Sequence, residues 1–401
     1  MKRSIRKRCF TVPGFSFAGI SAGIKDSGEK DLALIYSDSP AVTAALFTTN
    51  RVKAAPVKLA ISRLSRQKHC RAVIINSGNA NACTGKEGIK DARRMITETA
   101  KELDIIPAFV QVSSTGIIGR RLPVEKIEKS IPDLVRKLSP VSLSDAASAI
   151  MTTDTFPKIS QKKIKIGNKT GTIAGIAKGS GMICPSMATM LCYICTDIAV
   201  THKTLDSAVR KAAGLSFNRL AVDNDMSTND TVMVLSNGSL SNTPLTSRSP
   251  HYRTFEIALG DVMYDLSRMI AEDGEGATKL VEVIVKGART EPDAERIGKM
   301  ISNSMLVKTA IYGKDPNWGR IIAAVGSSGV NVREEKIDIF LNRIKLVSRG
   351  VGAGREKAAA KVLADKKLAI TVDVNSGNKS AKVLTCDLTE KYIKINAHYS
   401  T

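Results

Sequence analysis

The sequence predicts an α/β fold, within which an α+β arrangement is the variant to weigh. Three observations carry this. Strand-like apolar runs alternate along the chain with amphipathic helical stretches. Of the 401 residues, 43% are hydrophobic, enough to bury a sizeable core and to exclude a disordered chain. No apolar run reaches the roughly 18 residues of a membrane-spanning helix, so an integral membrane protein of that kind is excluded. Length alone suggests two or three domains. There is no internal repeat and no low-complexity linker, and the elements do not separate into two autonomous blocks.

The elements follow in order. A first strand is expected near Cys9, then strands at Leu32–Tyr36, Ala41–Phe47 and Arg71–Ile75. Helices are expected at Lys86–Leu103 and Pro123–Leu138. Gly167-Asn168-Lys169 is a turn signal inside Lys163–Ile176 and predicts two strand arms. Met190–Ile194 reads as a buried strand. Phe255, Leu259, Val262, Leu266 and Met269 recur at helical spacing. Strands are expected at Val281–Val285 and Lys336–Phe340. Leu368, Ile370, Val372 and Val374 alternate as a half-buried strand does, and a turn at Asn375–Lys379 leads into Ala381–Cys386.

Composition narrows the function. The net charge is +22, of which residues 1–188 carry +17 and residues 189–401 carry +5. Only Met1–Arg8 and Lys162–Lys169 concentrate it, and neither is interleaved with aromatic residues. Aromatics make up 4% of the chain, too few for base stacking, and no zinc-finger, helix-turn-helix or RNA-binding motif is present. The basic excess reads as solvated surface, with no nucleic-acid and no membrane partner. The basic N-terminus followed by apolar residues resembles a signal peptide, but Pro13, Gly14, Gly19 and Gly23 interrupt the apolar stretch. Seven scattered cysteines fit reduced thiols, and the reading is a cytoplasmic protein. Cys192 and Cys195 have CxxC spacing, but no second pair completes a metal site, so buried core thiols are expected and no metal.

The chain has no Walker loop, no complete dinucleotide fingerprint and no nucleophile elbow. Its four histidines show no ligand spacing. The unusual segment is Lys178–Met190, KGSGMICPSMATM, where small residues beside a lysine run through Pro185 to Ala188-Thr189 before an apolar strand. Pattern alone favours a tight turn between strands there.

At this point the chain resembles the ornithine acetyltransferase, or ArgJ, family from about Pro13 to its last residue. The resemblance rests on Phe47–Val57 (FTTNRVKAAPV), Asn76–Gly85 (NSGNANACTG), Ser113–Gly119 (SSTGIIG) and Met151–Lys158 (MTTDTFPK). It continues through Lys178–Leu191, Ser216–Val232, Glu275–Lys279 (EGATK), Asp315–Arg320 (DPNWGR) and Ile395-Asn396-Ala397. It implies a self-processing N-terminal-nucleophile fold of the ArgJ/DmpA type with intertwined α and β chains, residues 1–188 and 189–401, cut at Ala188-Thr189. The freed Thr189 would be the nucleophile and its own α-amine the general base.

The implied reaction moves acetyl from N-acetylornithine to glutamate through an acetyl-Thr189 ester, with no cofactor. Thr115 and Gly116 would form the oxyanion hole. Thr155, Lys178, Thr189, Glu275, Asn396 and Thr401 would bind substrate, Lys178 taking a carboxylate and Glu275 an ammonium group. The C-terminus is therefore expected to fold back onto the site. The family's assembly is an α2β2 heterotetramer, and acetyl-CoA is left open as a second acetyl donor.

The chain departs from the family at Cys184 and Ser186, before the scissile bond, and at Asn224 and Met226. Asn224 stands where glycine is frequent, and asparagine tolerates a left-handed backbone. The competing reading is a related self-processing aminopeptidase or amidase, which would pass the acyl group to water.

Overall fold

The computed structural model describes residues 10–183 and 190–398. The chain folds into two compact units. One comprises Met1–Lys178, Met190–Ala213 and Ser227–Leu266, and the other Gly179–Thr189, Gly214–Met226 and Ser267–Thr401. Compact units therefore exist, but neither is a continuous block of sequence. Nor do they coincide with residues 1–188 and 189–401.

The described residues of the first unit form an eight-stranded sheet. Its strands are β1 (Phe15–Ile20), β2 (Leu32–Phe47), β3 (His69–Asn76), β4 (Val110–Ser114), β5 (Lys158–Ile166), β6 (Lys169–Lys178), β7 (Leu191–Thr196) and β8 (Thr231–Ser236). Their order is β4-β3-β2-β8-β7-β6-β5, with β1 paired to β2. The β3–β4 and β7–β8 pairs are parallel and the others antiparallel. β7 and β8 follow Ala188-Thr189 in sequence, yet lie inside a sheet whose other strands precede it.

Apolar runs become strands here because both faces of the sheet are buried. Ala33, Ile35, Val73 and Ile75 pack into one cluster with Leu143, Ala146 and Ala147 of the helix Leu143–Ala149. The alternate residues Leu34, Ala72 and Ile74 pack into another, under the helices Gly85–Glu102 and Val124–Arg136. Successive side chains point to opposite faces, so a strand covered on both reads as continuously apolar.

Two expectations are corrected. The first described strand begins at Phe15, after the Val12–Phe15 turn, and Cys9 lies outside the described residues. The two strands expected at 32–36 and 41–47 are one strand, β2, whose register with β3 shifts between Tyr36 and Ala41. The polar Ser37–Pro40 stretch marks this irregularity rather than a turn.

The second unit holds a six-stranded sheet in the order β12-β11-β10-β13-β9-β14. The strands are β9 (Leu280–Ala288), β10 (Asp338–Leu341), β11 (Ile344–Ser348), β12 (Val351–Gly352), β13 (Lys367–Asp373) and β14 (Lys379–Cys386). Val281, Val283, Val285, Ile370, Val372 and Val383 pack against Ile297 and Ile301 of the helix Glu291–Asn303. The expected strand at Lys336–Phe340 starts two residues late, because Glu334–Lys336 forms a 3-10 turn. The helix expected around Phe255–Met269 is Tyr252–Glu272. No helix among the described residues is long and apolar enough to cross a membrane.

Candidate active site

The candidate residues are distributed over both units. In the first, Lys178 ends β6 and pairs with Leu191 at the start of β7. The connection that carries CPSMAT thus leaves and returns at adjacent points of the sheet. Ala188 and Thr189 lie outside the described residues, as do Cys184 and Ser186. Met190, the residue after Thr189, is fully packed, and its N–H donates to Asp230 Oδ1 at 3.0 Å.

Thr115 and Gly116 follow directly on β4. Gly116 has φ 133°, and a Cβ there would collide with the backbone of Gly78 and Asn79, so only glycine fits. A buried amide network fixes this loop. Asn76 accepts from the Ser114 hydroxyl at 2.6 Å and donates to the Asn79 carbonyl at 2.8 Å. The Thr115 N–H donates to the Asn76 carbonyl at 3.0 Å. The Asn229 amide donates to the carbonyls of Ala80, at 2.7 Å, and Ser114, at 2.8 Å. Two consecutive side chains, Asn229 and Asp230, therefore tie the residue before Thr115 and the residue after Thr189 to one short segment.

Lys178 is buried, and its ammonium lies 3.9 Å from Asp154. Asp154 is itself buried and bonded at 2.7 Å by Lys158, whose side chain is fully enclosed. Burial alone would raise the Asp154 pKa, but Lys178, Lys158 and the Thr152 N–H hold it well below the usual carboxylate range. Asp230 behaves in the opposite way. Burial pushes its pKa well above the carboxylate range, against the pull of the Met190 N–H and of Lys178. Its Oδ2 is buried. Thr155, next to Asp154, is exposed.

The second unit places Glu275 on the Ser180–Gly181 turn. The Glu275 N–H donates to the Ser180 carbonyl at 2.8 Å, and its carboxyl occupies the space a Gly181 Cβ would need. Asn396, on the helix Glu390–Ala397, donates to Glu275 Oε2 at 2.7 Å. Thr389 caps that helix by accepting from the Lys391 N–H, and its hydroxyl donates to the Gly276 carbonyl at 2.8 Å. The helix Glu390–Ala397 is thereby held against Glu275 and Gly276, while Thr401 lies outside the described residues. Asp223 accepts from the N–H groups of Met182, at 2.6 Å, and Ile183, at 2.8 Å. Beside it, Asn224 takes the left-handed φ of 68° that its glycine-like position requires.

Sequence reasoning passed over Asp154, Asn229 and Asp230, which the structure buries beside the candidate residues. All three lie inside quoted motifs, MTTDTFPK and Ser216–Val232. Nothing local marks a carboxylate as buried, however. The CxxC thiols are both buried in β7, and burial raises the pKa of each. No group of three or more potential ligands that could hold a metal occurs among the described residues.

Comparison with known proteins agrees over nearly the whole chain. The model of the ArgJ family matches residues 16–401. The chain is 48% identical over 392 residues to the arginine biosynthesis bifunctional protein ArgJ of Geobacter sulfurreducens, covering 97% of this chain and all of that one. The crystal structure of the ArgJ protein of Bacillus halodurans matches with 42% identity and a TM-score of 0.50. The match covers 51% of this chain and 97% of that one, so that polypeptide is about half as long. The ornithine acetyltransferase of Mycobacterium tuberculosis, solved with ornithine, matches with 38% identity, a TM-score of 0.40, and coverage of 45% and 96%.

Proposed function

The chain belongs to the ArgJ family of arginine-biosynthesis enzymes, and from that premise we propose how its own residues carry out acetyl transfer between amino acids. Acetyl moves from N2-acetyl-L-ornithine to L-glutamate, yielding ornithine and N-acetylglutamate. The precursor first cuts itself at Ala188-Thr189. The Thr189 hydroxyl adds to the Ala188 carbonyl, the C–N bond breaks to leave an ester, and water hydrolyses that ester. Thr189 then carries a free α-amine, whose ordinary pKa of about 7.7–8.0 suits a general base near neutrality.

In the transfer, the Thr189 hydroxyl attacks the acetyl carbonyl while its α-amine takes the proton. Ornithine leaves by its α-amine. Glutamate's α-amine then attacks the acetyl-Thr189 ester. The Thr115 hydroxyl and the Gly116 N–H donate to the oxyanion of both tetrahedral intermediates. Lys178 pairs with the substrate's α-carboxylate and Glu275 with its ammonium group, while Thr155, Asn396 and Thr401 complete the binding contacts. These steps draw on the chain's own groups and need no bound cofactor.

The observation that carries this assignment is the Asn229–Asp230 tie. It anchors the loop of Thr115 and Gly116 and the residue after Thr189 to the same two side chains. The half-length polypeptide of the Bacillus halodurans relative supports cleavage near the middle. The products, residues 1–188 and 189–401, would both contribute strands to one sheet and so stay associated. We infer an α2β2 assembly in the cytoplasm.

Purified protein incubated with N-acetylornithine and glutamate should form N-acetylglutamate and ornithine in equal amounts. Acetate released without N-acetylglutamate would favour the amidase reading. Replacing N-acetylornithine by acetyl-CoA in the same assay tests the second donor.

A further inference from the structure

Two buried aspartates near Lys178 have pKa values that their surroundings drive in opposite directions. Burial pushes the Asp230 pKa up, while Lys178, Lys158 and the Thr152 N–H hold that of Asp154 down. The ionised group is the one built into a buried cluster. Asp154 receives Lys158 Nζ at 2.7 Å and the Thr152 N–H at 3.0 Å, and Lys178 Nζ stands 3.9 Å away. The side chains of Asp154 and Lys158 are fully enclosed, and that of Lys178 is 5% exposed. The cluster is also fixed in place by the sheet, since Lys158 is paired with Ala177, the neighbour of Lys178.

A lysine buried alone sheds its proton, because the low-dielectric interior penalises the ammonium form. A carboxylate within a few ångströms reverses that preference. Two ammonium groups on one carboxylate leave the cluster with a net positive charge. The tighter contact belongs to Lys158, so Asp154 is largely neutralised from that side.

We propose that Asp154 is a positioning residue for acetyl transfer: braced by Lys158, its carboxylate holds the Lys178 ammonium charged and in place to receive the α-carboxylate of the amino-acid substrate. This rests on the reading that Lys178 binds that carboxylate. Lys158 is the second part of the device. Without it the Asp154 charge would bear more strongly on Lys178 and offset the charge the substrate needs.

The test is a ratio. Transfer from N-acetylornithine is measured to glutamate and to glutamate α-methyl ester, which keeps the amine and lacks the α-carboxylate charge. The wild type should prefer glutamate. In Asp154→Asn this preference in kcat/KM should fall by about tenfold to a hundredfold, the value of one charged hydrogen-bonding partner. A loss of packing would slow both acceptors alike and leave the ratio unmoved. Lys158→Met, which keeps the side-chain volume, should lower the ratio in the same direction and serves if Asp154→Asn does not fold.

Lys178→Met separates the two claims. If it abolishes the preference while Asp154→Asn and Lys158→Met keep the wild-type ratio, the positioning role of Asp154 is overturned and the reading of Lys178 stands. If Lys178→Met itself keeps the preference, the reading of Lys178 fails and takes the proposal with it.

Discussion

On the proposed reading, the surroundings of Lys178 and of Glu275 solve the same problem, holding a charged group for a substrate, by different means. Lys178 stands at the end of an interior strand in a buried ion cluster whose members lie within 24 residues of one another. Glu275 sits on a turn and is held by an amide 121 residues away, near the end of the chain. The first arrangement is set by the sheet and is electrostatic. The second is set by the docking of one short helix and depends on hydrogen bonds and close packing. Charge changes should therefore dominate around Lys178, and changes of shape or chain length around Glu275.

The largest effect should come from the rigid side. Gly116→Ala places a Cβ against the Gly78 backbone and should displace the proposed oxyanion donor. Its kcat should fall by about 10²–10³, read by steady-state transfer assays, with little change in KM. On the other side, Gly181→Ala puts a Cβ where the Glu275 carboxyl lies. It should raise the KM for N-acetylornithine by about tenfold, as should Glu275→Gln. Equal KM values in all three proteins would erase the contrast.

Asn396→Ala removes one hydrogen bond to Glu275 and should cost about 1 kcal/mol of binding, or roughly fivefold in KM. Truncation after Leu388 removes the whole helix and should match or exceed Gly181→Ala. The smallest effects are on stability. The folded pKa of Asp154 is depressed, so its contribution is full above the unfolded value of about 3.9 and is lost as pH falls through the folded value. The folded pKa of Asp230 is raised, so its contribution is full below the unfolded value and is lost as pH rises through the folded one. Urea unfolding across pH should therefore show Asp230→Asn relieving a loss of stability that sets in as pH rises above the unfolded value of about 3.9.

Much of the fold was legible because periodicity reports burial. β9, β13, β14 and the helices Gly85–Glu102 and Val124–Arg136 fall within two or three residues of their expected positions. Sheet order was not legible, since register between strands is decided by packing rather than by any local signal. The joining of two expected strands into β2 has the same cause. Lys178 and Glu275 were singled out through motif resemblance. Asp154 and Asp230 were passed over because an aspartate in sequence carries no mark of its surroundings. One became an ion-cluster centre when the β5–β6 hairpin closed, and the other a buried carboxyl bonded to Met190, 40 residues before it. A fold-back of the C-terminal region was expected from resemblance alone, and the bond of Asn396 to Glu275 was not foreseen, as no spacing encodes a contact across 121 residues.

The central claim is that the chain makes its own nucleophile. Intact-mass measurement of the purified wild-type protein should show two polypeptides, one of them beginning at Thr189. Thr189→Ala should remain one chain and transfer no acetyl group. A wild-type protein that stays uncut and is fully active would contradict the account.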